Sequence, residues 1–221
     1  MTHVRGLKAR TERKDVITDE EFKEMLHRAK KIPETFYRLR TLALLCILRL
    51  TGKRRSEIAR LEVSDFKIER PYLHVTFTLS KKRKQTVITK RSTKTIPLSD
   101  PLTKPILKYL EFLEDLTPTP KYFLPQTKRM WGQEFQINAH QHISGRQVFN
   151  LVRRISDRVW CHLFRETAAS DVVKSDPSII GAFKVQRRLD LENIQTGFRY
   201  LKRFSADLIE RELKEGESDY V

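Results

Sequence analysis

Three short segments of this chain carry side chains whose types and spacing could act on a charged oxygen. Thr51-Gly52-Lys53-Arg54-Arg55-Ser56-Glu57 follows an apolar run and forms a basic turn before new helical spacing begins. Trp160-Cys161-His162-Leu163-Phe164-Arg165 sets His162 and Arg165 three residues apart, so both project from one helix face. Leu189-Asp190-Leu191-Glu192-Asn193-Ile194 leads on to Tyr200. A guanidinium is a planar fork of donors. Two forks fixed on separate elements suit a phosphorus centre that gathers negative charge on its oxygens. Glu57, one turn after Arg54, is placed to pair with it. Position alone says less about Tyr200, which on a helix face reads first as a packed core aromatic.

The charge balance names the kind of partner. The 221 residues include 44 Lys+Arg against 28 Asp+Glu, a formal net charge of +16. An excess of that size points to a polyanion, nucleic acid first, unless it is only a solvated basic surface. Distribution favours the polyanion. From Pro71 to Ser99 there is no acidic residue, while Lys81, Lys82, Arg83, Lys84, Lys90, Arg91 and Lys94 all fall there. The acids gather instead in the tail, at Glu210, Glu212, Glu215, Glu217 and Asp219. No basic amphipathic helix accompanies the cluster, so a membrane-surface role does not fit. No stretch reaches the ~18 apolar residues of a membrane span, and the first fifteen residues hold no apolar signal segment. Two cysteines, Cys46 and Cys161, make no disulfide framework and suit a reducing compartment. His140 and His142 have no cysteine or carboxylate at zinc spacing, so no metal site is expected.

The elements that must position these groups follow from periodicity. Thr18 to Glu21 is a capping box, and Phe22, Met25, Leu26 and Ala29 follow at helical spacing up to Pro33. Phe36 to Leu50 is apolar nearly all round and predicts a buried central helix ending at Gly52. Ser56 to Leu61 begins a short helix. Leu73, Val75, Phe77 and Leu79 alternate with polar residues, and Thr95 to Leu98 returns as strand, so 66–98 predicts a small antiparallel sheet with a basic hairpin tip. Helical spacing resumes at Leu102, a long loop is expected from Thr117 to about Ile143, and helices over 144–155, 163–173, 182–191 and 205–213. The fold class is therefore α+β, mostly helical, with one small antiparallel sheet on a helical core.

In this order the segments resemble the catalytic domain of the tyrosine recombinase, or lambda-type integrase, family. Its signatures are a Thr-Gly-x-Arg-x-Ser-Glu turn, a His-x-x-Arg helix, a lysine on the intervening hairpin, and a tyrosine shortly before the C-terminus. The likeness covers roughly residues 15–205. It implies Tyr200 as a nucleophile toward phosphorus, Arg54 and Arg165 as the phosphate clamp, and Glu57 as the group that orients Arg54. His162 would assist proton transfer at Tyr200. The hairpin lysine, Lys81 or Lys82 with Lys84 and Lys90 as alternatives, would protonate the leaving 5′-oxygen. Arg83, Lys84, Lys90, Arg91 and Lys94 would contact backbone phosphates. A phenol with a pKa near ~10 is ionised only about once in a thousand molecules at pH 7, which is why a cationic pocket would help it.

The implied activity is cleavage and rejoining of DNA strands through a 3′-phosphotyrosyl intermediate. No cofactor or small-molecule substrate is implied, the partner being double-stranded DNA gripped by a homotetramer. Its rivals are type IB topoisomerase-like relaxation and a non-catalytic architectural DNA-binding protein. The compartment implied is cytoplasmic, or nuclear in a eukaryote. Expected boundaries are 1–16 for a basic linker or arm, 17–203 for the catalytic domain, and 204–221 for a C-terminal helix and tail, either docked on its own core or exchanged between protomers. Family members often add an N-terminal helical domain, so the chain is a fragment or a compact member. One departure stands out: where the family commonly has Gly-His, nine residues before the nucleophile, this chain has Asp190-Leu191, so the last phosphate contact is either missing or supplied from elsewhere, for instance by Arg187 or Arg188.

Overall fold

In the computed structural model, residues 16–79, 90–128 and 135–218 are described, with side chains to 206. Helix α1 (Asp19–Lys30) starts at a reciprocal cap, where the Glu21 amide donates to Thr18 Oγ1 and the Thr18 amide donates back to Glu21 Oε2. Its apolar face, Phe22, Met25 and Ala29, packs on α2 (Thr35–Thr51), the central helix, along which Ala43 to Leu48 are wholly buried. Gly52 closes α2 in the left-handed conformation at φ 60°. A Cβ there would lie 2.8 Å from Ala168 Cβ and 2.9 Å from a Leu189 methyl, so only glycine lets the turn press against the helices behind it.

After the short α3 (Arg55–Ala59) come β1 (Phe66–Glu69), β2 (Tyr72–Thr78) and β3 (Arg91–Pro97), an antiparallel sheet in the order β1-β2-β3. Alternation sends Leu73, Val75 and Phe77 inward, as period two requires. Helix α4 (Thr103–Glu114) covers α2 through Ile106, Tyr109 and Leu113. The expected loop over 117–143 is instead partly a second sheet, β4 (Pro125–Lys128) paired antiparallel with β5 (Gln136–His142). Its strands are mostly polar and interrupted by a register shift, so they carry little period-two signal.

Helix α5 (Gly145–Ile155) is capped by Ser144, and α6 (Cys161–Ser175) then runs through the interior. Leu163 and Phe164 on α6 join the main core. Ala168, Ala169 and Val173 join a second cluster with Val185 and Leu189 of α7 (Ile179–Leu189) and Phe204 of α8 (Ile194–Ser218). α8 is one continuous helix through Tyr200 and the segment 205–213. Helix α6 is thus clamped from both sides, which fixes its first two turns.

Gly52→Ala should lower unfolding free energy by about 1–3 kcal/mol, from the left-handed backbone penalty with the steric clash added. Urea titration checks this, and an unchanged midpoint would mean the turn relaxes freely.

Candidate active site

The first two turns of α6 supply His162, Arg165 and Glu166. Arg165 is 4% exposed, and its guanidinium donates from Nη1 to the Gly52 carbonyl at 3.0 Å and from Nη2 to the Leu189 carbonyl at 2.5 Å. Burial, with the Arg54 guanidinium nearby, lowers its pKa from the usual arginine value. Arg54 stands just before α3. Its backbone amide donates to Glu57 Oε2 at 2.9 Å, and Nη1 donates to Glu57 Oε1 at 3.0 Å. The Glu57 side chain is almost wholly buried while that of Arg54 is 29% exposed, so a sheltered carboxylate aims a guanidinium that ligands can reach. Arg54, His162 and Arg165 line one cavity of about 340 Å³, with Phe149 and Trp160 as its apolar wall.

Tyr200 sits in the second turn of α8, its ring stacked on Phe204. Besides Arg165, its hydroxyl meets Glu166, to which the sequence assigned no role. Glu166 Oε1 accepts from the Tyr200 hydroxyl at 3.3 Å and pairs with His162 Nε2 at 2.8 Å, while Oε2 accepts from Arg203 at 2.8 Å. Burial would raise the Glu166 pKa, but the His162, Arg203 and Tyr200 contacts outweigh it and hold the carboxyl below its ordinary value. The same carboxylate acts on Tyr200 in the opposite sense. Burial first, then Glu166, raises the phenol's pKa above the usual tyrosine value, with Arg165 opposing. The site therefore keeps a neutral phenol rather than favouring phenolate. The i,i+4 spacing from His162 to Glu166 was the one sequence signal for this contact.

The hairpin residues divide. Lys81, Lys82, Arg83 and Lys84 lie outside the described residues. Lys90 lines a neighbouring cleft of about 530 Å³ with Arg54, Leu79, Asp190 and Leu191. Arg91 reaches Asp65 at 2.7 Å. Lys94 turns inward, donating to Asp190 and to the Arg187 carbonyl. Arg188 donates to the Leu50 carbonyl. Tyr109 is wholly buried and its pKa is pushed far up by that burial, so its hydroxyl is not available as a nucleophile. Both cysteine thiols are buried, and burial raises Cys46 to about 12 and Cys161 to about 11, so neither is a nucleophile. Among the described residues, no group of His, Cys, Asp and Glu could hold a metal ion, and no helix is long and apolar enough to cross a membrane.

Comparison with known proteins gives one family and a set of similar structures. A family model described as the phage integrase family matches residues 15–206. No curated protein matches the chain. Among solved structures, XerH site-specific recombinase bound to difH substrate in a pre-cleavage complex aligns at 16% identity and TM-score 0.63, covering 89% of this chain and 52% of that one. XerA recombinase aligns at 15% identity and TM-score 0.63, covering 94% and 66%. A lambda integrase tetramer bound to a Holliday junction aligns at 17% identity and TM-score 0.51, covering 89% and 50%. The chain spans half to two thirds of the length of these proteins, and at such identities the likeness is one of fold.

Glu166→Gln should lower the Tyr200 pKa toward the usual tyrosine value, because it removes the negative charge facing the hydroxyl. Carbon-13 tyrosine NMR against pH, with Tyr200→Phe to assign the signal, reads this directly. An unmoved pKa would mean that burial alone sets it.

Proposed function

Because the chain belongs to the phage integrase family, we propose that it cleaves one DNA strand by attack of Tyr200 on the scissile phosphate and rejoins it to another strand. The observation that carries this is the shared cleft. Arg54 and Arg165, on different elements, face one cavity with His162, and Tyr200 bonds the same Glu166 oxygen as His162.

The Tyr200 oxygen forms a bond to phosphorus as the bond to the 5′-oxygen breaks, leaving a 3′-phosphotyrosyl end. The phenol proton leaves through the His162–Glu166 pair, and the departing 5′-oxygen takes a proton from a hairpin lysine, Lys81 or Lys82. A second 5′-hydroxyl then attacks the phosphotyrosine, reversing each transfer. Arg54 and Arg165 neutralise the charge that builds on the non-bridging oxygens. One phosphodiester is exchanged for another, so no external energy source is consumed. Because Tyr200 rests as a neutral phenol donating to Glu166, its proton passes to that carboxylate and His162 as the bond to phosphorus forms. Four protomers act together on DNA.

With a nicked duplex, Arg54→Ala and Arg165→Ala should each cost ~10²–10³ or more in the rate of covalent-complex formation while DNA binding is nearly kept. Arg→Lys should fail too, since an ammonium cannot offer two parallel bonds. Wild-type rates in either alanine variant would remove that arginine from the reaction.

Affinity for duplex DNA should fall steeply with salt, and reversing Lys82, Arg83 and Lys84 to Glu should flatten the slope of log affinity against log salt. An unchanged slope would place the DNA face elsewhere.

A further inference from the structure

Asp190 ends α7 in the left-handed region, at φ 49° and ψ 54°, and the chemistry above makes no use of its carboxylate. Three donors from two other elements converge on it. Lys53, its side chain wholly buried, bonds Oδ2. Ser92 and Lys94, both on β3, bond Oδ1 at 2.7 and 3.0 Å. The Lys53 ammonium also lies 4.5 Å from the centre of the Phe77 ring. An ammonium buried this deeply needs a counter-ion or a bed of acceptors, and one carboxylate between two ammoniums leaves the cluster at a net charge of +1. Burial lowers the pKa of Lys53 and of Lys94, and in both Asp190 works against that shift.

The cluster touches both halves of the phosphate clamp. Lys53 precedes Arg54 in the chain. Asp190 follows Leu189, whose carbonyl accepts from Arg165. The turn after α7 and the turn after α2 thus meet at a single ion pair, while Lys94 ties β3 to the same point. Asp tolerates the left-handed region better than most residues, so one side chain both ends the helix and anchors the charge.

We propose that Asp190, with Lys53 as its buried counter-ion, is the positioning residue that holds Arg54 and Arg165 in register for the phosphate. This rests on the strand-transfer reading above and adds to it a group that touches no reacting atom.

The test measures single-turnover covalent-complex formation on a nicked duplex at saturating DNA, beside the DNA dissociation constant and the far-ultraviolet circular dichroism. Asp190→Gly keeps the backbone unstrained but strands the Lys53 charge. It should lower the cleavage rate ~10²-fold, the scale of a displaced catalytic group. The dissociation constant should hold within about threefold, because phosphate contacts elsewhere set it. Adding Lys53→Met to that variant removes the stranded charge and should recover at least ~10-fold of the lost rate, the non-additivity expected of contacting residues. A wild-type rate in Asp190→Gly, or no recovery in the double variant, overturns the proposal. Wild-type protein that forms no covalent complex would instead overturn the strand-transfer reading. Nitrogen-15 arginine side-chain NMR then decides the positioning role. The Arg165 Nη signals should be protected from exchange in wild type and double variant and lost in Asp190→Gly, and their persistence there would overturn the proposal.

Discussion

A buried guanidinium organises this molecule. Arg165 lies in the interior, where an arginine stays charged, so its N–H groups must find acceptors at fixed places. It finds two in the carbonyls of Gly52 and Leu189, where α2 and α7 end. Backbone oxygens at helix C-termini lack intrahelical partners and carry the negative end of the helix dipole, which suits a cation. The two bonds therefore pin three helices with one side chain. They also use only two of the five donors, so the fork can hold its scaffold and still address a ligand.

Around that centre the cations are matched in advance by carboxylates. Glu57 aims Arg54, Glu166 gathers His162, Arg203 and Tyr200, and Asp190 gathers Lys53 and Lys94. Without these acids the positive groups would repel one another. With them the site is assembled beforehand, and what remains for a ligand is to exchange partners locally. The cost is a phenol that is harder to ionise at rest, since the carboxylate that locates Tyr200 also disfavours its charged form.

Much of this was legible in the chain. Thr18 announced α1 because a cap is local chemistry, and the apolar run from Leu42 to Leu48 announced α2 because burial is written in composition. Arg54, Glu57, His162 and Arg165 stood out because each lies within a few residues of its motif neighbours. The β4–β5 hairpin was not legible, since its strands are polar and only Ile137 and Ala139 hint at alternation. Asp190 showed as a departure from the family pattern, yet its meaning depended on Lys53, 137 residues away, and Lys94, 96 residues away. Such pairings arise from folding and leave no spacing to read. The role of Glu166 was hidden differently, because its partners lie both one helical turn away and on another helix, at Tyr200 and Arg203.

The most direct measurement traps the protein on a nicked duplex, trims the DNA with nuclease, digests the protein with trypsin and sequences the nucleotide-bearing peptide by mass spectrometry. The account predicts a 3′-linked nucleotide on the peptide Tyr200-Leu201-Lys202, attached through the phenol oxygen. Attachment at Tyr37, Tyr72, Tyr122 or Tyr220, or at any serine, would contradict it.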